Sequence, residues 1–212
     1  MMRLSAERLA GGVPDFQTVE ALVRSFEAGA LRLNRLARYF EGRHDILART
    51  RLRGLPNSRI PHAFPRYISQ VSASYLLGEP VSVSGPEPGA TALRGLLQKA
   101  SADSVDVELA LHQAIYGRAV SLCYEDASGQ AFVCSLDPRS AFVVADDTVA
   151  ADPLFGVYLT GSPGERSCTV YTKDEVLCYG SRGQVLARQP HPFLALPMVE
   201  YYNGVDAHGD FE

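Results

Sequence analysis

The feature that most restricts the fold of this chain is a change of hydrophobic period at Gly117. Upstream, apolar residues recur every three or four positions, the spacing of helices covered on one side; downstream they alternate with polar residues, the spacing of strands. Val120, Leu122 and Tyr124 alternate with Ser121, Cys123 and Glu125, Asp126-Ala127-Ser128-Gly129 closes a hairpin, and Phe132, Cys134 and Leu136 return as far as Asp137-Pro138. Further strands are predicted at 141–145, 154–160, 168–172 and 176–179. Turn clusters at Asp146-Asp147, Gly161-Ser162-Pro163-Gly164 and Gly180-Ser181 separate them. Connections this short predict an antiparallel meander with no room for parallel crossovers. Helices first and strands after make an α+β chain, with amphipathic helices packed on the meander.

The helical half has its own punctuation. Asp15 is a suitable N-cap, and Val19, Leu22, Val23, Phe26, Ala30, Leu33, Leu36, Ala37 and Phe40 trace one face of a long helix that Gly42 ends. The stretch 55–85 then organises the chain. It opens with turn residues Pro56, Asn57 and Ser58, and Pro61 is placed to start a helix. Phe64, Tyr67, Ile68, Val71, Tyr75 and Leu76 are its predicted core face. Gly78 is expected as a left-handed cap, Pro80 as the stop, and Val81 and Val83, alternating with Ser82 and Ser84, as a short strand. After a loop at 85–89, Ala92, Leu93, Leu96 and Leu97 mark a short helix. A second, capped within 101–103, buries Val107, Leu111, Ala114 and Ile115 and ends at Gly117. Gly42, Gly78 with Pro80, and Gly117 are thus the expected structural hinges.

Charge narrows the partners. The 212 residues carry a formal net charge of -4, but up to Arg66 twelve arginines face six carboxylates, so the remainder is strongly acidic. Only Lys99 and Lys173 are lysines. Arginine forks suit phosphate and carboxylate partners, and a basic part beside an acidic one also suits self-assembly; solvated helix faces are the plainer alternative. Arg24, Arg35, Arg38, Arg43 and Arg59 are the candidate contacts to a DNA backbone or to a neighbouring subunit. No apolar run reaches the ~20 residues of a membrane span, and the start lacks the apolar core of a signal peptide, so no membrane partner and a cytoplasmic setting are expected. Cys123, Cys134, Cys168 and Cys178 form no CxxC pair; small buried hydrophobes are expected, with a cross-strand disulfide as the alternative.

No reaction centre is legible. There is no GxxxxGK[ST] loop and no GxSxG elbow, and His44, His62, His112, His191 and His208 show neither HxxxH nor HExxH spacing. The pairs Asp103/Asp106, Asp146/Asp147 and Glu41/Asp45 lack a nearby third ligand and suit caps and turns. Tyr39, Phe40, Tyr67 and Tyr75 sit at helical spacing beside aliphatic residues, which favours core over base stacking. The chain is expected to be no enzyme and to use no cofactor or metal.

Several short motifs, in one order, carry a resemblance. Tyr39-Phe40-Glu41-Gly42-Arg43-His44-Asp45-Ile46, Asn57-Ser58-Arg59-Ile60, Tyr75-Leu76-Leu77-Gly78-Glu79-Pro80-Val81 and Ile115-Tyr116-Gly117-Arg118-Ala119 resemble bacteriophage portal proteins of the SPP1 type. So do the Asp137-Pro138 step, the run from Leu196 to Tyr201 and the closing Gly209-Asp210-Phe211-Glu212; Asn203-Gly204 stands where the family has paired asparagines. The resemblance implies a single wing-like region, helical over 1–117 and stranded over 118–204, with 205–212 starting a stem helix, so that this is an N-terminal fragment lacking stem and clip. It further implies a dodecameric ring at the portal vertex of the virion, assembled in the host cytoplasm or expressed from a prophage. Double-stranded DNA is packaged and ejected through that ring, and terminase, scaffold or capsid and head-completion proteins are the partners of the full-length protein. The alternative is a generic α+β nucleic-acid-binding or regulatory module that lays an arginine-rich helix at 19–40 on phosphates.

Overall fold

A computed structural model describes residues 2–9, 12–50, 58–162 and 166–204. The first long element forms as its cap and stripe dictate. Asp15 Oδ1 accepts the Thr18 N–H at 2.9 Å, and α1 (Phe16–Phe40) follows. Hydrogen bonding from the Thr18 side chain, then from its backbone N–H, holds the Asp15 carboxyl below its ordinary range. All nine apolar residues of the predicted stripe are buried or half-buried. Gly42, at φ +81°, turns the chain out of the helix, and a single 3₁₀ turn follows at Asp45–Ala48.

The next element departs from expectation in three ways. α2 (Phe64–Leu77) begins three residues after Pro61, with Pro65 in its first turn. Gly78 is right-handed helical, at φ −64° and ψ −23°, so the predicted left-handed cap is absent. Glycine still suits this position: an ideal Cβ there would lie 2.7 Å from the Ser74 carbonyl oxygen. Residues 79–84, with Pro80 exposed among them, form no strand. Val81 has no partner strand to satisfy its backbone, so alternation alone could not make one. α3 (Gly89–Lys99) and α4 (Ala102–Tyr116) complete the helices, and Gly117, at φ +75°, caps α4 with its N–H bonded to the Gln113 carbonyl before a strand starts at Arg118.

The strands are β1 (Met2–Leu4), β2 (Arg118–Glu125), β3 (Ala131–Leu136), β4 (Ala141–Asp146), β5 (Pro153–Thr160), β6 (Ser167–Tyr171), β7 (Glu175–Tyr179), β8 (Val185–Pro190) and β9 (Met198–Tyr202). Their arrangement is α+β, but two sheets replace the single meander. One has the order β1-β4-β5-β6-β7-β8, the other β3-β2-β9. The pair β1–β4 is parallel, with Met2 opposite Val144; every other pair is antiparallel. The chain changes sheet between β3 and β4, where Asp137 and Pro138 turn it.

β4 is buried at all six positions because both its faces are covered. On one side Phe142 and Val144 meet α1, with Phe26 and Phe142 rings stacked at 4.6 Å. On the other, Ala141 and Val143 pack with Val120, Leu122 and Met198 of the three-stranded sheet. The sheets approach so closely at Gly156 that an added Cβ would lie 2.5 Å from the Met198 sulfur. α4 covers the far side of the three-stranded sheet, where Ser135 Oγ and His112 Nδ1 lie 2.9 Å apart. All four cysteines are free thiols. Burial pushes the Cys168 thiol up to about 12, which keeps it protonated and hydrophobe-like.

Candidate assembly surface

The five arginines predicted for contact do not form one patch. Arg24 is tied to Glu20 one turn back at 2.7 Å, and Arg43 to Glu41 at 2.6 Å. Arg35 and Arg38 converge on Asp45, at 3.5 and 3.3 Å, and the Tyr39 hydroxyl donates to the same carboxylate at 3.0 Å. Arg59 donates to the Leu47 carbonyl at 3.0 Å, across from the same 3₁₀ turn. The structure thus brings Arg35, Arg38, Arg43 and Arg59 around the end of α1 and leaves Arg24 several turns away. All of these pairs are solvent-exposed, so each contributes little to stability by itself. Their joint effect is geometric: they hold the aromatic-Gly-His-Asp corner, where Tyr39 and His44 rings lie 4.9 Å apart.

The larger surface lies beside that corner and inverts the predicted face of α2. Its packed side holds small residues, Ser69 and Ala73, which let α2 lie close against α4. Its large residues point outward: Phe64, Tyr67, Ile68, Val71, Tyr75 and Leu76 are all exposed, Tyr75 at 93%. Arg66 is the single charged residue between Phe64 and Leu77. Its Nε donates to the Phe40 carbonyl at 3.1 Å, and its guanidinium lies 5.2 Å from the Phe40 ring centre, so the cation is held against the end of α1, on the side of the helix that carries Ser69 and Ala73, and leaves the outward face uncharged. One flank of α2, Pro65, Ile68 and Ser69, helps close a groove of about 510 Å³ with Arg32, Arg35, Tyr39 and Phe40 of α1, so the apolar face runs on into that groove through Ile68. A contiguous apolar helix face with so few charges is the signature of a protein contact.

Sequence patterning alone missed a buried polar centre behind this surface. Arg118 and Glu200, on neighbouring strands, form an ion pair at 2.9 Å, with side chains only 15% and 1% exposed. Glu200 also accepts the Val143 N–H at 3.1 Å, which reaches across to the other sheet. Arg118 donates to the Pro138 carbonyl at 3.1 Å and to that of Ala141, and lies over the Phe26 ring of α1. One guanidinium thereby touches α1, β9, β4 and the crossing between the sheets. The adjoining Tyr202 hydroxyl is buried without a hydrogen-bond partner among the described residues, and burial followed by the Glu200 charge pushes its pKa up. The one clue in the sequence was the Gly-Arg-Ala step at the period switch.

The turn carboxylates are occupied locally. Asp146 Oδ1 accepts from the Thr148 N–H and hydroxyl and from the Asp152 N–H. Asp137 holds Arg139 through both carboxylate oxygens; these bonds, working against burial, keep its pKa low. Among the described residues no group of three or more His, Cys, Asp or Glu side chains could hold a metal. No helix among them is long and apolar enough to cross a membrane.

The fold and its surfaces define the class first: an α+β scaffold whose main outward feature is an apolar helix beside a rigid arginine corner. The family described as phage portal protein, SPP1 Gp6-like, matches residues 24–212, and the chain belongs to it. Its role is that of a structural component of the phage portal. No curated protein matches the chain in a sequence comparison.

Proposed function

We propose that the chain is a subunit of a cyclic portal ring at the virion vertex, through which double-stranded DNA is packaged and ejected. The observation that carries this reading, beside the family match, is the exposed and nearly uncharged face of α2. A soluble monomer gains nothing from holding six large apolar side chains in water, whereas a subunit that meets its own copies removes them from solvent. Closure follows from geometry. A heterologous contact repeated at a constant rotation returns to its starting point, provided the wedge between two faces does not flex. The Arg118–Glu200 centre and the tight Gly156–Met198 approach supply that rigidity in this chain.

The arginines around the end of α1 are secondary in this account. Each already has a local partner, so any DNA contact they make is weak and blind to sequence, which lets DNA slide. Terminase, scaffold or capsid and head-completion proteins are partners of the assembled ring. Sedimentation of the purified chain, with a parallel titration of duplex DNA, tests the proposal. Concentration-dependent self-association, with at most weak DNA affinity, is the expected result. A strictly monomeric chain with strongly salt-dependent DNA binding would instead establish the nucleic-acid-binding module.

A further inference from the structure

A histidine ring fixes the path of the chain between the two sheets. After β8 ends at Pro190, residues 191–197 leave the six-stranded sheet and lead into β9 of the other. This strap is tied at both ends. At the far end the Pro197 carbonyl accepts the Cys123 N–H at 2.8 Å. At the near end the ties run through His191. Its backbone N–H donates to the Asp174 carbonyl at 3.2 Å, its Nε2 lies 2.9 Å from the Thr172 carbonyl oxygen, and its Nδ1 lies 3.2 Å from the Phe193 nitrogen. These partners decide the tautomer. A carbonyl oxygen only accepts, so Nε2 carries the proton; a backbone N–H only donates, so Nδ1 is bare. The ring is neutral, and its basic lone pair is taken up by the Phe193 N–H.

Phe193 itself sits half-buried, its ring centre 5.6 Å from that of His191. It lines two hollows, one of about 410 Å³ with Tyr124 and Tyr171 and one of about 510 Å³ with Leu96, Leu97 and Phe132. Leu194 beside it is 94% exposed, so the strap holds to the molecule through Phe193 and its two ends. The charged groups around the histidine are Glu125 and Asp126 of the β2–β3 hairpin, Lys173, Asp174 and Glu175 between β6 and β7, and Arg188 of β8, which Glu175 holds. Four carboxylates against two cations favour a positive ring. Two neighbours in the same hollow do not compete for charge: burial pushes Tyr171 up to about 12 and raises the Cys123 thiol, so both stay protonated.

We propose that residues 191–197 form an acid-released strap: protonation of His191 at Nδ1 breaks its bond to the Phe193 N–H and frees Phe193 from both hollows. The proton needs the lone pair that accepts that N–H, so it binds the released form and not the tied one. Acid therefore shifts the balance toward release, and the tie holds as pH rises. A released, solvated imidazole takes its proton near the ordinary ~6.5, so the ratio of released to tied strap grows roughly thirtyfold between pH 7.5 and pH 5.

Hydrogen–deuterium exchange of the full chain at these two pH values, corrected for the intrinsic pH dependence of exchange, reads the tie at the amides of residues 193–196. In the wild type their opening is expected to rise roughly thirtyfold on acidification, measured relative to β5. His191→Asn places an amide oxygen near the position of Nδ1 but takes no proton, and its strap is expected to open no more than β5 does. His112 is present in both chains, so its own response to acid cancels. A wild-type strap that opens no more than β5, or an equal rise in His191→Asn, overturns the proposal. Should that variant fail to fold, the ring ¹⁵N shifts of the wild type decide. A bare Nδ1 at pH 7.5, protonating with the midpoint at which the Phe193 amide loses protection, supports the strap; a protonated Nδ1 at pH 7.5, or a separate midpoint, overturns it.

Discussion

Glu200 is withdrawn from water with its carboxylate 2.9 Å from the Arg118 guanidinium, and such a pair holds only while both partners remain. Arg118→Met alone leaves a buried anion, and Glu200→Gln alone leaves a buried cation. Either change is expected to cost roughly 3–5 kcal/mol in urea denaturation, whereas Arg118→Met with Glu200→Leu should recover most of that loss. If the double variant is as unstable as the singles, the pair is not the unit described here. A second expectation concerns acid. His112 is held neutral mainly by burial, which lowers its pKa below the ordinary 6.5, against the pull of Glu108 and Asp137. The unfolded chain therefore binds a proton more readily, and this contribution to stability is lost as pH falls below about 6.5. His112→Gln should flatten that slope in thermal unfolding between pH 7 and 5; an unchanged slope would assign it to other groups.

At the scale of elements, α2 gives the sharpest test. Tyr75→Ser removes a side chain that is 93% exposed, so at dilutions where the chain is monomeric it should change stability by no more than about 0.5 kcal/mol. Ala73→Leu forces a large side chain between α2 and α4 and is expected to cost about 1–3 kcal/mol. The opposite order would mean that the large face is the buried one after all. This element also shows what a sequence can carry. Periodicity located α2 to within a few residues at its start and one at its end, because three-to-four spacing is a property of the helix itself. Which side is covered depends on the neighbour, and Ser69 and Ala73 serve a close helix contact as well as a solvated face would. β1 escaped notice because three residues carry no period, and its parallel pairing with β4 is decided by tertiary contact. β9 was hidden by prolines 192 and 197 just before it, although its own residues, Met198–Tyr202, pair along β2. Gly42 and Gly117 were legible as helix ends, and both take positive φ; the left-handed cap was expected at Gly78 instead, since a glycine wanted for close backbone approach looks the same in a sequence as one wanted for positive φ. The predicted turn at 56–57 and the helix start at 210–212 lie outside the described residues.

At the scale of the whole molecule, helix, six-stranded sheet, three-stranded sheet and helix stack in that order, and Arg118 ties the middle of the stack together. The apolar side of α2 lies at the outside of this stack, next to the arginine corner. A rigid block of this kind repeats by rotation when its apolar face meets a different face of the next copy, and pairs by symmetry when it meets the same one. Native mass spectrometry of the chain at low salt tests that claim most directly. One discrete oligomer larger than a dimer is expected; a monomer at every concentration, or a dimer that never grows, would overturn the ring.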